Sequence, residues 1–270
     1  MTDTPRIRRI VVGIDGSPAS ERAARWAVER ATPQGLPVTL LHAWHSATGP
    51  AHEPELVARL EAIARDVAVP GVTPDLEHVQ GSPYGALHPL TGPGTLMVLG
   101  GRGLSGVTGL LLGSVTAAVA GSAAGPLVIV SNDPVPAGPV LVGLDLETPS
   151  RPVLAQAAQE ARAAGVGLRV AHAWSVDPVR GVAPLEAEQE ERARLLEAEV
   201  TAHADLLEAL EVELTVVQGD PVAQLATLSD EARLLVLGSR GRGAVAGAVL
   251  GSVGRSCAAQ AECPVLIAPH

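Results

Sequence analysis

Apolar and polar positions alternate along the chain in blocks. Residues 7–14 form an apolar run rich in β-branched side chains, and similar runs at 38–43, 72–79, 96–99 and 127–130 predict four more strands. After the first run, Ser17-Pro18 reads as a helix N-cap followed by proline in the first turn, and Ala24, Ala27, Val28 and Ala31 then recur at helical spacing. The segments between strands are long enough for crossover helices. Near-continuous apolar strands alternating with helices predict a parallel sheet covered on both faces, an α/β fold.

The pattern occurs twice. Asp15 matches Asp145 and His42-Ala43-Trp44 matches His172-Ala173-Trp174 at an offset of 130 residues, whereas Gln80-Gly81 matches Gln218-Gly219 at 138. About eight extra residues therefore fall between positions 174 and 218. There the stretch from Pro184 to Leu210 contains no further Pro or Gly and predicts one long helix, against a shorter one over 53–67 in the first half. The stripe of the first helix recurs as Leu154, Ala157, Ala158 and Ala161. A Pro- and Gly-containing join over 131–139 divides the chain into expected domains 1–134 and 138–270.

Each half also carries a glycine string of one spacing, Gly100-x2-Gly103-x9-Gly113-Ser114 and Gly238-x2-Gly241-x9-Gly251-Ser252, between an apolar run and a helix-like segment. Glycines at a strand end let backbone approach an anion and adopt positive φ, and a serine opening a helix adds a hydroxyl at the positive end of the helix dipole. The string reads as a phosphate cradle, with turn punctuation as the plainer alternative. Ligands of open α/β sheets sit beyond the strand C-termini where strand order reverses. In a 3-2-1-4-5 sheet Asp15, ending the first strand, and Gly100, ending the fourth, flank that reversal. Sugar at the acid and phosphates at the glycines is then a natural nucleotide pose, although Asp15 and Asp145 could simply be strand-end acids capping their loops.

Composition narrows the chemistry. The formal charge is −10 with no basic block, so nucleic acid and anionic membranes are not expected partners. No apolar stretch of spanning length and no signal-like core occurs, and a cytoplasmic location is the expectation. All 19 basic residues are Arg; without Lys, a Walker A loop and Schiff-base catalysis are excluded. Cys257 and Cys263 lack metal or redox spacing and are expected to pack as small apolar groups. His42, His45 and His52 offer a His-x-x-His spacing, but His42 and His172 sit at matched strand ends, where imidazoles bonded to backbone are expected; no metal site is assigned. Arg102, Arg240 and Arg242 lie inside the strings, as phosphate partners or solvated side chains. No nucleophile elbow or poised general base stands out, and no catalytic residue is assigned.

These residues together resemble the tandem universal stress proteins: the glycine strings, Val-Gly-Ile-Asp-Gly-Ser at Val12 to Ser17, Leu-His-Ala-Trp at Leu41 to Trp44, and the closing Cys-Pro-Val-Leu-Ile at Cys263 to Ile267. The resemblance covers essentially the whole chain, twice. It implies two tandem Rossmann-like domains, each a five-stranded parallel sheet of order 3-2-1-4-5 with helices on both faces. It also implies binding of an adenine nucleotide, ATP, alone or with Mg2+. Asp15 and Asp145 would contact the ribose and base region, the backbone of Ala43 and Ala173 the adenine edge, and Gly100, Gly103, Gly113, Ser114, Gly238, Gly241, Gly251 and Ser252 the phosphates. The implied role is a nucleotide-responsive stress regulator; the alternative is a slow nucleotide phosphohydrolase or nucleotidyl-transfer enzyme. Family-like pairing of the halves through their last strands, and a further homodimer, are expected as well. After Asp145 the Gly-Ser of the first half is replaced by Leu146-Glu147, so the second site is expected to bind ATP more weakly.

Overall fold

A computed structural model describes residues 5–44, 54–101, 112–132, 138–175, 185–239 and 250–269. They gather into two compact units, and the changeover falls between residues 132 and 138.

In the first unit the elements run β1 (Arg9–Gly13), α1 (Pro18–Ala31), β2 (Val38–Trp44), α2 (Pro54–Asp66), β3 (Asp75–Gln80), α3 (Pro83–Leu87), β4 (Thr95–Gly100), α4 (Ser114–Ala120) and β5 (Leu127–Val130). The strands are parallel in the order β3-β2-β1-β4-β5. The chain steps from β1 out to β3, then returns to β4 on the other side of β1. Right-handed crossovers then put α1 and α2 on one face and α3 and α4 on the other, and α1 packs with α2 and α3 with α4.

The second unit repeats the plan with β6 (Val140–Gly143), α5 (Arg151–Ala164), β7 (Leu168–Trp174), α6 (Leu185–Ala202), α7 (Ala204–Leu207), β8 (Val212–Gln218), α8 (Pro221–Ser229), β9 (Leu234–Gly238), α9 (Ser252–Gln260) and β10 (Val265–Ala268). Its order is β8-β7-β6-β9-β10, again all parallel.

The cores are aliphatic. Ile10, Val12, Leu40, Leu96 and Val98 in one unit, and Leu141, Val170, Leu235 and Val236 in the other, are fully buried. Alanines at 23, 24, 27 and 31 give α1 a flat buried face that lets it sit close on β1 and β4.

Three sequence expectations change. The third strand starts at Asp75 rather than 72, because Val69 and Val72 pair across a tight turn closed at Gly71 with φ +90. It and β8 are edge strands and half-exposed, not continuously apolar. The long helix of the second unit breaks at His203, and α7 then packs on α5. Arg162 holds that corner by donating to the carbonyls of Leu206 and Glu208 at 2.8 and 3.0 Å.

Candidate functional site

In the first unit β1 and β4 are neighbours with register Gly13↔Leu99, so strand order reverses between them. Past Gly13 the chain turns out of the sheet. The Ile14 amide still donates to Leu41 at 3.0 Å, but the Asp15 amide leaves the ladder for the Ser20 hydroxyl, at 3.3 Å. Asp15 Oδ1 accepts from the Ser17 amide at 2.9 Å, closing a turn in which Gly16 has φ +78. Ser17 then caps α1 through the Ser20 amide at 3.2 Å, with Pro18 in the first turn, as its sequence predicts.

Ala43 lies on β2 two residues beyond Leu41. Backbone groups of a strand change sides at each residue, and Leu41 turns its carbonyl toward β1. The N–H and C=O of Ala43 therefore point the same way, beyond the point where β1 has ended. On the other flank Gly100 ends β4 and Ser114 opens α4, with Gly113 as its N-cap. Asp15, Ala43, Gly100, Gly113 and Ser114 thus all sit at the C-terminal edge of the first sheet around the switch point. Asp145, Ala173, Gly238, Gly251 and Ser252 take the matching places in the second. Gly103 and Gly241, with Arg102, Arg240, Arg242, His45 and His52, lie outside the described residues.

Two of the string glycines depart from the conformation expected of them. Gly113 and Gly251 have φ −57 and −64, so positive φ is absent from them; it belongs to the loop after the first strand. Nor is the Gly113 amide free for an anion, since it donates to the Gly101 carbonyl at 2.8 Å; Gly251 does the same to Ser239 at 2.9 Å. These bonds tie together the two ends of each string. Ser114 and Ser252 are exposed at the start of α4 and α9, where the first-turn amides have no partner within the helix. Gly100 is a packing glycine: a Cβ there would lie 2.8 Å from the carbonyl carbon of Ala19, so its bare Cα lets α1 approach β4. Its carbonyl accepts from the Thr116 hydroxyl at 2.7 Å.

The second unit differs at the loop. Leu146 keeps the left-handed conformation of Gly16, with φ 61, in spite of its side chain. Asp145 Oδ1 accepts from the Glu147 amide at 3.0 Å, the Thr148 amide at 2.9 Å and the Thr148 hydroxyl at 2.8 Å. With Glu147 in place of the Ser17 cap and Pro149 blocking an earlier start, α5 begins at Arg151, three residues later than the 130-residue match to α1. The Ser150 hydroxyl there donates to Glu199 of α6.

The histidines diverge too. His172 Nδ1 bonds to the Leu144 carbonyl at 2.8 Å, the backbone partner the sequence predicted, and its buried Nε2 has none. Burial holds its pKa below 6.5 in spite of that bond. His42 instead meets His78 on β3, Nδ1 to Nδ1 at 3.2 Å, with rings edge to face. One ring donates and the other accepts. The signal for His78 was cross-strand register, His42↔His78, which the sequence does not display. The described residues hold no cluster of three or more His, Cys, Asp or Glu that could bind a metal, and no helix among them is long and apolar enough to cross a membrane. Cys257 and Cys263 are buried, and burial raises both thiols to about 12.

The universal stress protein family model matches residues 6–131 and again 137–269. The chain belongs to the universal stress protein family. A universal stress protein of Mycobacterium tuberculosis is 32% identical over 283 aligned residues, covering 96% of this chain and 95% of its own. Among solved structures, a universal stress protein from Archaeoglobus fulgidus covers 97% of this chain and 98% of its own, with TM-score 0.68 and 20% identity, a likeness of fold. A shorter universal stress protein solved in complex with cAMP is 29% identical, covers 48% of this chain, and has a TM-score of 0.39. Tandem universal stress domains thus account for the duplicated pattern.

Proposed function

We propose that the first unit binds an adenine nucleotide, ATP, at the C-terminal ends of β1, β2 and β4, and that the chain acts as a nucleotide-responsive regulator. The observation that carries this reading is the convergence of three unlike groups around one strand reversal. They are the Asp15 carboxylate, the ladder-free backbone of Ala43 and the N-terminal turn of α4 at Ser114. An acid beside sugar hydroxyls, backbone donors and acceptors beside a base edge, and a helix N-terminus beside phosphate are complementary to a nucleotide laid across the crevice. Gly103 is proposed to complete the phosphate side. With no metal cluster among the described residues, any Mg2+ would be held chiefly by the nucleotide's own phosphates.

In the second unit Asp145, Ala173, Gly238, Gly241, Gly251 and Ser252 are proposed as a weaker counterpart. Phosphoryl transfer needs positioned charge and a placed nucleophile. The chain has no Lys to supply a positioned ammonium, and a regulator is favoured over an enzyme. We further propose that the two units pair through the apolar edge strands β5 and β10, whose sequences Leu127–Val130 and Val265–Ala268 contain no charged residue.

Mass spectrometry of small molecules released on denaturing the purified protein should find adenine nucleotide. Calorimetry of Asp15→Asn, which keeps an acceptor for the Ser17 amide but removes the charge, should show ATP bound more weakly. Equal affinity of variant and parent refutes the placement. Multiple-turnover phosphate release at about 1 per second or faster would refute the regulator reading.

A further inference from the structure

In the second unit the indole N–H of Trp174 donates to Gln189 Oε1 at 2.9 Å, and Gln189 Nε2 donates to the Val216 carbonyl at 2.9 Å. Gln189 thereby latches α6 onto the ends of β7 and β8. In the first unit the corresponding helix is α2, which carries Arg59. Arg59 makes no such latch, and the Trp44 indole N–H is buried without a hydrogen-bond partner. The Arg59 side chain lies instead against the loop after β1. Its Cδ and Nε are 3.6 and 3.8 Å from the point a Cβ on Gly16 would occupy, with Leu56 Cδ1 beside them at 2.9 Å. Among the described residues Arg59 has no ion pair, whereas Arg65 on the same helix faces Glu61 at 3.9 Å.

A guanidinium is charged at every working pH and presents a fork of donors suited to phosphate. Here it hangs over the turn that leads into α1, a helix of 14 residues whose positive end adds to the same field. In a chain of net charge −10, an exposed arginine unmatched by a described carboxylate and resting on the loop of Asp15 favours an anion at that spot. We propose that Arg59 is a phosphate-binding residue of the first unit. This rests on the nucleotide reading of the same crevice and adds a cation from a helix that none of the motifs include.

The test is calorimetry of the full chain with ATP, adenosine and tripolyphosphate, comparing the parent with Arg59→Gln, Arg59→Lys and the control Arg65→Gln. Arg59→Gln should weaken the tighter ATP site about tenfold or more, the worth of a charge-assisted phosphate contact. It should leave adenosine within about twofold and flatten the salt dependence. Arg59→Lys should recover part of the loss, Arg65→Gln should match the parent, and none should melt below the parent, because both arginines are exposed. Unchanged ATP affinity in Arg59→Gln, or equal losses for ATP and adenosine, would overturn the assignment while leaving the nucleotide reading intact. If the parent binds no ATP, the nucleotide reading fails and tripolyphosphate decides for Arg59: weaker binding by Arg59→Gln supports it, and no difference or no binding overturns it.

Discussion

Adding a single methyl group at Gly100 tests whether this glycine seats a helix or only cradles a ligand. A Cβ there would come 2.8 Å from the carbonyl carbon and 2.9 Å from the carbonyl oxygen of Ala19, where ordinary contact begins at 3.4 Å. Both neighbours are backbone at the start of α1, so no side chain can rotate away. The helix cannot lift easily either, because Ala23, Ala24 and Ala27 are fully buried along its inner face. Overpacking of this kind costs about 1–3 kcal/mol. Gly100 does not have positive φ, so alanine also gains about 0.4–1 kcal/mol through the unfolded chain. Gly100→Ala should therefore lose about 1–2 kcal/mol from the first unit. That corresponds to roughly 1 M in urea midpoint for a unit of this size, or about 3–8 °C in melting temperature. Tryptophan fluorescence can follow it, since Trp26 and Trp44 of the three tryptophans lie in the first unit. A midpoint equal to that of the parent would refute the packing argument; weakened nucleotide binding alongside it would return Gly100 to the cradle.

Replacing Leu146-Glu147 by Gly-Ser should raise the ATP affinity of the second unit toward that of the first, since it relieves a left-handed leucine and removes a like charge. Two-site titration showing no gain would mean these side chains point away from the ligand. Gln189→Ala leaves the Trp174 indole N–H buried without an acceptor and should cost about 1–3 kcal/mol in denaturant unfolding, with the loss confined to the second unit. His172 is held below 6.5 by burial, so the folded protein binds fewer protons than the unfolded chain in the window between its depressed value and 6.5. Its stabilising contribution is thus full above 6.5 and is lost as pH falls toward the folded value; His172→Gln should flatten that part of the stability profile. Thiol reagents at neutral pH should modify Cys257 and Cys263 only after unfolding, because burial raises both to about 12; rapid labelling of the native protein would contradict this.

What the sequence determined by itself is local or repeated. Strand runs, the Ser17-Pro18 helix start, the doubled glycine string and the matched Asp15 and Asp145 are all written in adjacent or evenly spaced residues, and apolar periodicity reports them because each element must bury one face. That was enough for the fold class, the tandem organisation and the family. The third strand starts later than its apolar run suggests because Val72, at the head of that run, pairs back with Val69 across the turn at Gly71.

Only the tertiary structure decided what each group does within the crevice. Gly100 is a packing glycine because of Ala19, 81 residues away in the chain. His78 is the partner of His42 because β2 and β3 pair in one register and not the next. Arg59 reaches Gly16 because the crossover lays α2 beside α1. Asp145 is bonded three times by its own loop because Leu146 takes up a conformation its side chain disfavours. Each depends on the docking of elements whose mutual distance is set by side chains far apart in sequence, and a one-dimensional pattern holds no term for that distance.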